Sequence, residues 1–392
     1  MMCAAQLNDA GKEYLVIEKN EKCGRKLAIT GKGRCNVTNE CERDTFISSV
    51  VSNGRFLYSA YDGFDCRDTM EFFGSRGVKL KTERGNRVFP ESDRAYDIVD
   101  CLYNIIKGKV IRGTVTEILT DGEGVTGVVC GGKRYDCDNV VVATGGLSYP
   151  VTGSTGDGYK FARSLGLSVV EPEPSLVPLT SNDKSCAAMM GLSLKNVTFT
   201  LLDGEKELFS EMGEMLFTHF GLSGPLVLSA SAFVKNGKVY RGVIDLKPAL
   251  DEATLEKRLL RDFAENINRN YSNALGGLLP SGMIETFVKK SGIAPDRKIN
   301  SITKEERRTV ISLLKHFEIP INGRRPIAEA IITRGGVSVK ELNSKTMESK
   351  KVRGLYFIGE VIDVDAFTGG FNLQIAFSTA AACAKAIIEQ AF

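Results

Sequence analysis

A glycine-rich segment near the start of the chain most constrains what this sequence can fold into. Residues 29–39 read Ile-Thr-Gly-Lys-Gly-Arg-Cys-Asn-Val-Thr-Asn and follow a short apolar run, residues 14–17, that ends in Glu18. A strand that closes on an acidic residue is typical of the second strand of a nucleotide-binding βαβ unit, where the carboxylate accepts hydrogen bonds from a ribose. Because Gly31 and Gly33 lack a Cβ, their N–H groups can approach a bound anion closely. The pattern predicts a dinucleotide cofactor.

The usual partner of such a segment is a G-x-G-x-x-G turn about 20 residues before the acidic residue. Only seventeen residues precede Glu18, and residues 1–10 are expected to be the remainder of the first helix, with Gly11 at its C-cap. The first strand and its glycine turn are therefore expected to be missing from the sequence as given. We interpret this as a late start codon or a truncated chain, in which cofactor binding is weakened.

The composition narrows the class of protein. A chain of 392 residues is long enough for two or three domains, and 51 basic against 48 acidic residues leave a charge of +3. We therefore expect a small-molecule substrate and neither a nucleic-acid nor a membrane partner, while the oligomeric state stays open. No signal segment opens the chain, and no uninterrupted apolar stretch reaches the ~18 residues of a membrane helix. Ten irregularly spaced cysteines without a C-x-x-C pair then indicate reduced thiols in a cytoplasmic protein.

Two further glycine turns follow apolar strands. The strand at residues 139–143 runs into Thr144-Gly145-Gly146, and the strand at 354–358 ends in Gly359-Glu360. Asp363 and the sequence Gly369-Gly370-Phe371-Asn372 then open a long helix, expected from about residue 373 to residue 391. A helix N-terminus presents free N–H groups and a partial positive charge, which would favour an anionic cofactor group. Each turn alone is an ordinary feature, but their order predicts a common site.

These segments carry a family resemblance. Residues 29–39, 143–157, 216–225 and 359–374 closely resemble the YhiN/BaiN-like, or aminoacetone-oxidase-like, flavoproteins, which belong with the flavocytochrome and fumarate-reductase type of enzymes. The resemblance covers nearly the whole chain. It implies one FAD and an α/β fold, namely an FAD-binding Rossmann-like domain of the two-dinucleotide-binding type, interrupted by a β-barrel-like domain and a helical subdomain. The expected division is 1–172 and 341–392 for the FAD-binding domain, 173–250 and 318–340 for the β-rich insertion, and 251–317 for the helical subdomain.

The resemblance also implies oxidoreductase activity. Members named for a bile-acid pathway suggest reduction, driven by NAD(P)H, of a C=C bond conjugated to a ketone, whereas others are named for oxidation of aminoacetone by oxygen. A third alternative is a flavin-free binding protein, which the missing phosphate turn would produce. The residues expected to contact FAD are Glu18, Arg25, Lys26, Gly31, Gly33, Arg34, Cys35, Asn36, Val115, Thr144, Gly145, Gly146, Gly359, Glu360, Asp363, Gly369, Gly370, Phe371 and Asn372.

Histidine is the remaining candidate for chemistry. His219 lies in the glycine-rich sequence Thr-His-Phe-Gly-Leu-Ser-Gly-Pro of the expected insertion, where it could donate a proton to substrate or simply hold the loop by hydrogen bonds. The other histidine, His316, lies on a helical run and is expected to be structural. No cluster with metal-ligand spacing occurs, so no metal is expected.

Overall fold

A computed structural model describes residues 1–235 and 237–390. Positions 391 and 392, the end of the expected second FAD-binding part and its helix, lie outside the described residues. In chain order the α-helices are α1 Met2–Asp9, α2 Arg25–Ile29, α3 Arg43–Ser48, α4 Tyr58–Gly63, α5 Cys66–Gly74, α6 Ala95–Ile106, α7 Asp157–Ser164, α8 Lys184–Ala188, α9 Pro225–Ala230, α10 Glu252–Glu265, α11 Tyr271–Ala274, α12 Ser281–Ser291, α13 Lys304–Lys315 and α14 Phe371–Glu389.

The strands are short except in the insertion. In chain order they are β1 Val16–Glu18, β2 Thr38–Asn39, β3 Val50–Ser52, β4 Leu80–Glu83, β5 Arg87–Pro90, β6 Val110–Arg112, β7 Val115–Thr120, β8 Val125–Cys130, β9 Lys133–Asp136, β10 Val140–Val142, β11 Val169–Ser175, β12 Leu179–Thr180, β13 Ser193–Asp203, β14 Lys206–Thr218, β15 Gly221–Ser223, β16 Tyr240–Asp245, β17 Phe317–Ile321, β18 Gly323–Arg324, β19 Ile332–Val337, β20 Leu355–Phe357 and β21 Asp365–Ala366.

The chain forms two compact units. The first contains Met1–Ser175 and the described chain from Ile327 onwards, and the second is Leu176–Pro326. Residues 327–340, which the sequence pattern assigned to the insertion, lie in the first unit. They do so because β19 pairs in antiparallel register with β11, so that the chain has already left the insertion before β19 begins.

The first unit contains two parallel strand pairs, as a nucleotide-binding α/β fold requires. β1 pairs with β6 so that Glu18 lies opposite Arg112, and β10 pairs with β20 so that Val142 lies opposite Phe357. Valine and isoleucine, which are β-branched, favour the extended backbone of β1 and β10, and β20 is fully buried. The carboxyl ends of β1, β10 and β20 carry the acidic residue and the two glycine turns that the sequence singled out. The unit also contains the antiparallel sheets β2-β5-β4 and β7-β8-β9 and the antiparallel pairs β11-β19 and β3-β21.

The C-terminal helix α14 is a core element of the first unit. It packs against α1 and α4, and its buried alanines, among them Ala380 and Ala384, let the neighbouring helices approach closely. By length and composition alone α14 could cross a membrane, and 61% of its most apolar stretch is buried. Such burial is what a core helix shows.

The second unit is built on one antiparallel sheet. Seven strands pair in the order β17-β16-β13-β14-β15-β12-β18. Helices α10 to α13 belong to the same hydrophobic core, and α10 and α12 both contact α13. Helix α13 starts with a capping box, in which Thr303 and Glu306 each satisfy the other's backbone N–H.

Candidate cofactor site

The glycine-rich segment connects directly to the start of α14. Asn39 Nδ2 donates to the carbonyl oxygen of Gly369 at 2.9 Å, and Thr38 Oγ1 donates to Oε1 of Gln374 at 2.6 Å. Gly370 has φ +101°, and a Cβ there would lie 2.3 Å from the carbonyl oxygen of Thr38. Only glycine fits this close approach of two main chains. The first and last predicted turns are therefore neighbours in the structure, across more than 300 residues of sequence.

Within the segment, Cys35 and Asn36 differ in their surroundings. Cys35 is fully buried, and this burial raises the pKa of its thiol to about 12, so the side chain is a neutral packing group. Asn36 Oδ1 is buried and has no hydrogen-bond partner among the described residues. Because a buried acceptor without a donor costs about 1–3 kcal/mol, this oxygen is a candidate to accept a hydrogen bond from a bound group.

A polar cluster joins the second and third glycine turns. Glu360 Oε1 accepts hydrogen bonds from Ser148 Oγ and from the backbone N–H of Thr333, both at 2.8 Å. Its other oxygen, Oε2, lies 2.5 Å from Lys26 Nζ. Lys26 also donates to Ser148 Oγ at 2.6 Å. The cluster brings α2, the Gly145-Gly146 turn and the end of β20 together.

Thr333 is a component of this site that the sequence patterns did not reveal. Its Oγ1 accepts the backbone N–H groups of Leu147 at 2.8 Å and Ser148 at 3.1 Å, and the residue is fully buried. A Cβ at Gly146 would lie 2.2 Å from this oxygen, so the glycine is required by the approach of Thr333. The sequence Thr-Arg-Gly-Gly at 333–336 resembles Ala-Thr-Gly-Gly at 143–146, and this similarity could have indicated a further turn of the site.

Glu18 lies at the edge of a cleft at the carboxyl ends of β1 and β6. Arg112 and Tyr103 also line this cleft. Glu18 Oε1 accepts from the backbone N–H of Asn20 at 2.8 Å and from its Nδ2 at 2.9 Å. Asn20 Nδ2 also donates to the carbonyl oxygen of Thr152 at 3.0 Å, which ties the end of β1 to the loop after the second glycine turn. In open α/β sheets such a crevice at the carboxyl ends of the strands is where ligands bind.

Arg34 is held by acidic residues of the chain itself. Its guanidinium pairs with Glu83 and with Asp93, the latter at 2.5 Å, and it lies 4.2 Å from the centre of the Phe89 ring. The hydrogen bond from Arg34 lowers the pKa of Glu83, and those from Lys81 and then Arg34 lower the pKa of Asp93. Arg34 thus attaches the glycine-rich segment to the β4–β5 hairpin.

The other predicted contacts have varied positions. Thr144 Oγ1 accepts the N–H of Gly158 at 3.1 Å, and Asp363 accepts from Asn53 Nδ2 at 2.9 Å, while burial raises the pKa of the Asp363 carboxyl. Asn372 forms hydrogen bonds to the main chain of Ala366 through both its Oδ1 and its Nδ2, so it braces the loop before α14. Arg25 is exposed and donates to Asn20. Val115 begins β7 in the antiparallel sheet. The remaining predicted contacts lie in or next to the connected turns, namely Gly31, Gly33, Gly145, Gly359 and Phe371.

His219 belongs to the second unit. Its ring lies 4.9 Å from that of Phe220 in an edge-on arrangement, at the turn between β14 and β15. The neighbouring Thr218 Oγ1 donates to the carbonyl oxygen of Gly221 at 3.0 Å and closes this turn. Its proposed role as a proton donor stays a prediction.

The first unit fits a flavin dinucleotide. The acidic residue at the end of β1 suits a ribose, and the bare main chain at Gly145-Gly146 beside Glu360 leaves room for close approach. Asn36 Oδ1 is a buried acceptor that receives no hydrogen bond from the part of the chain that the structure describes. The N-terminus of α14 adds free N–H groups at the Gly369-Gly370 turn. The residues that would hold FAD are therefore supplied by four separate segments of one unit.

The comparison with known families agrees with this geometry. Residues 1–386 match the family model described as HI0933-like protein Rossmann domain. The chain belongs to the HI0933-like family. This is a family of FAD-dependent Rossmann proteins, and it includes the YhiN/BaiN-like proteins that the sequence resembles. Membership confirms the expected Rossmann-type FAD-binding fold and, at the level of class, an FAD-dependent oxidoreductase.

Three relatives extend over almost the whole chain. Proteins named ribosomal RNA dihydrouridine synthase from Haemophilus influenzae and Escherichia coli are each 34% identical, cover 100% and 99% of this chain, and are themselves covered to 96% and 95%. A 3-dehydro-bile acid delta(4,6)-reductase from Clostridium scindens is 28% identical over 99% of this chain and 95% of its own length.

Proposed function

We propose that this protein uses FAD to reduce a carbon–carbon double bond conjugated to a carbonyl group, and that its substrate is a uridine of ribosomal RNA. The observation that carries the proposal is the 34% identity, over essentially the whole chain, to two relatives that share the name ribosomal RNA dihydrouridine synthase. This departs from the expectation of a purely small-molecule partner.

The chemistry implied by the names of the relatives is uniform. Formation of dihydrouridine saturates the C5=C6 bond of uracil, which is conjugated to the C4 carbonyl. A delta(4,6)-reductase that acts on a 3-dehydro bile acid saturates a bond conjugated to the C3 ketone. Reduction of the uracil bond, and of the Δ4 bond of the bile acid, adds a hydride to the carbon β to a carbonyl and a proton to the α-carbon, and the Δ6 bond accepts a hydride at the δ-carbon through the same conjugation. One site can therefore serve either substrate class with the same reacting group.

The chain contributes binding and orientation to this reaction. When bound and reduced, the flavin would supply the hydride, and we propose that NAD(P)H is the reductant that delivers this hydride to the flavin. Glu18, Asn36 and the Gly145-Gly146 turn would hold the cofactor. The ion pair with Lys26 would neutralise the negative charge of Glu360 next to the Gly145-Gly146 turn. His219 is retained as the candidate proton donor to the α-carbon.

The distribution of charge is compatible with an RNA substrate. Residues 251–317 carry 12 Lys and Arg against 9 Asp and Glu, a surplus of 3 that equals the net charge of the whole chain. The positive net charge of the chain therefore comes from residues 251–317, and the rest of the chain has a net charge of zero. Basic surface attracts the phosphate backbone without reading its sequence.

The test is reduction of RNA in vitro. Unmodified ribosomal RNA transcript, purified protein, FAD and either NADPH or NADH are incubated without oxygen, and nucleosides are analysed by mass spectrometry. We expect uridine that has gained two hydrogens. The control is the same transcript with boiled protein.

The same purified protein can be used to test two alternative functions. A steroid 4,6-dien-3-one reduced much faster than RNA would favour the second candidate, the bile-acid type of enone, which the 28% relative supports. Hydrogen peroxide formed from aminoacetone and oxygen, with flavin that stays oxidised in the presence of both nicotinamides, would contradict the reductase proposal altogether.

A further inference from the structure

Lys26 has no free N–H group to offer a cofactor. Its ammonium group lies 2.5 Å from Glu360 Oε2, 2.6 Å from Ser148 Oγ and 3.4 Å from the carbonyl oxygen of Ser148. A lysine ammonium carries three donors, so these three acceptors use all of them. The sequence placed Lys26 among the direct contacts to FAD, where a basic residue would face an anion. The geometry gives it a different partner.

Glu360, by contrast, keeps one acceptor position open. Among the described residues, Oε1 receives two hydrogen bonds, from Ser148 and Thr333, whereas Oε2 receives only that of Lys26. A Cβ at Gly145 would lie 4.0 Å from Oε2, so this oxygen faces the bare main chain of the second glycine turn. The carboxylate side chain is 19% exposed. It is thus held by three donors and accessible from the side where close approach is possible.

From these contacts we infer that Lys26 is a positioning residue, which acts on FAD through Glu360 and not by contact. A carboxylate beside the binding place of an anionic dinucleotide would repel it unless a cation neutralised the carboxylate. Lys26 supplies that cation and, with Ser148, fixes the side-chain rotamer of Glu360. The inference rests on FAD binding as proposed above, and it assigns to Lys26 a role opposite to that of a phosphate-binding lysine.

A double-mutant cycle on FAD affinity distinguishes the two roles. The dissociation constant of FAD is measured by flavin fluorescence for the unmodified chain, Lys26→Met, Glu360→Gln and the double variant. We expect Lys26→Met to weaken binding by about tenfold, as loss of a partly buried counter-charge does. In the Glu360→Gln background, where no carboxylate needs neutralising, the same change should cost less than about threefold.

Two further variants serve as controls for the cycle. Lys26→Arg keeps the positive charge, and its FAD affinity should lie within about threefold of that of the unmodified chain, because the partly exposed Lys26 side chain leaves room for a guanidinium group. Lys22→Met, an equal change at an exposed position in the loop before α2, should leave the affinity for FAD unchanged. Thermal melting of each FAD-free variant shows whether the protein remains folded.

Equal losses from Lys26→Met in both backgrounds would overturn the inference, because a direct contact, or a merely structural one, does not depend on Glu360. An unmodified chain that binds no FAD at all would overturn the cofactor assignment together with it. If the unmodified chain binds FAD, and Lys26→Met weakens binding only when Glu360 is present, the result supports both the cofactor assignment and the role of Lys26.

Discussion

Replacement of Thr333 by valine tests the architecture of the site most directly. Valine has nearly the same shape, so the packing of this fully buried residue is kept while its hydroxyl is lost. The backbone N–H groups of Leu147 and Ser148 then lose their acceptor. No other group of the side chain can replace it.

The expected cost follows from the number of donors left without a partner. Each buried N–H without an acceptor costs about 1–3 kcal/mol. Ser148 is fully buried, whereas Leu147 is only half-buried and water can partly satisfy its N–H. We therefore expect Thr333→Val to lower the free energy of unfolding of the first unit by about 2–4 kcal/mol. Thr333→Ser keeps the hydroxyl and loses one methyl group, which should cost about 1 kcal/mol.

Urea unfolding followed by far-UV circular dichroism measures both variants, with a separate transition fitted for each unit if two appear. The slope of the transition of the first unit should stay constant, so that the midpoint reports stability. A valine variant within about 0.5 kcal/mol of the unmodified chain, or less destabilised than the serine variant, would refute the reasoning. Thr333 would then be ordinary core packing.

Three further perturbations test other parts of the site. Gly370→Ala should destabilise the first unit by at least about 3 kcal/mol, because its Cβ would meet main chain at 2.3 Å, whereas Gly359→Ala, with 3.6 Å to its nearest neighbour, should cost only the ~1–2 kcal/mol of a left-handed conformation, as measured by urea unfolding. Cys35, with a thiol pKa of about 12, should resist alkylation by iodoacetamide at pH 8, where only about one thiol in ten thousand is ionised; rapid labelling in the folded protein, read by mass spectrometry, would contradict its burial. Burial raises the pKa of Asp363 in the folded chain, so ionisation there opposes folding; relative to Asp363→Asn, the unmodified chain should gain stability as pH falls from above the raised pKa to the ordinary aspartate value, and a gain with rising pH would contradict this.

Short-range patterns predicted the strands that frame the site. The apolar run before Glu18 and the valines at 140–142 formed β1 and β10, because β-branched residues favour the pleated, partly buried surface of a strand. The long helix after the Gly369-Gly370 turn formed as α14, two residues earlier than expected. These elements depend on neighbours in sequence, and so a sequence can specify them without knowledge of the fold.

Partner choice among charged side chains could not be predicted in the same way. Arg34 was expected beside a cofactor anion, yet Glu83 and Asp93 hold it from a hairpin some fifty residues further along the chain. Residues 327–340, which were expected in the insertion, lie in the first unit, where β19 pairs with β11 across about 160 residues of sequence. Only the three-dimensional arrangement decides which of several acids a cation meets.

The same arrangement bears on how the candidate site would attract an anionic cofactor. Lys26 pairs with Glu360, Arg34 with Glu83 and Asp93, and Lys19 with Asp157 at 2.7 Å, so these three cations are paired with acids of the chain. Arg25 is exposed and donates to the neutral side-chain amide of Asn20. Main-chain N–H groups that the glycines leave uncovered, and the N-terminus of α14, would then add positive potential that does not depend on these paired side chains. Main-chain dipoles are fixed by the fold and keep their orientation when the cofactor is absent. A site of this kind depends on the close approach of its glycine turns, and this is why Thr333 and Gly370, which control that approach, should matter more than any single basic side chain.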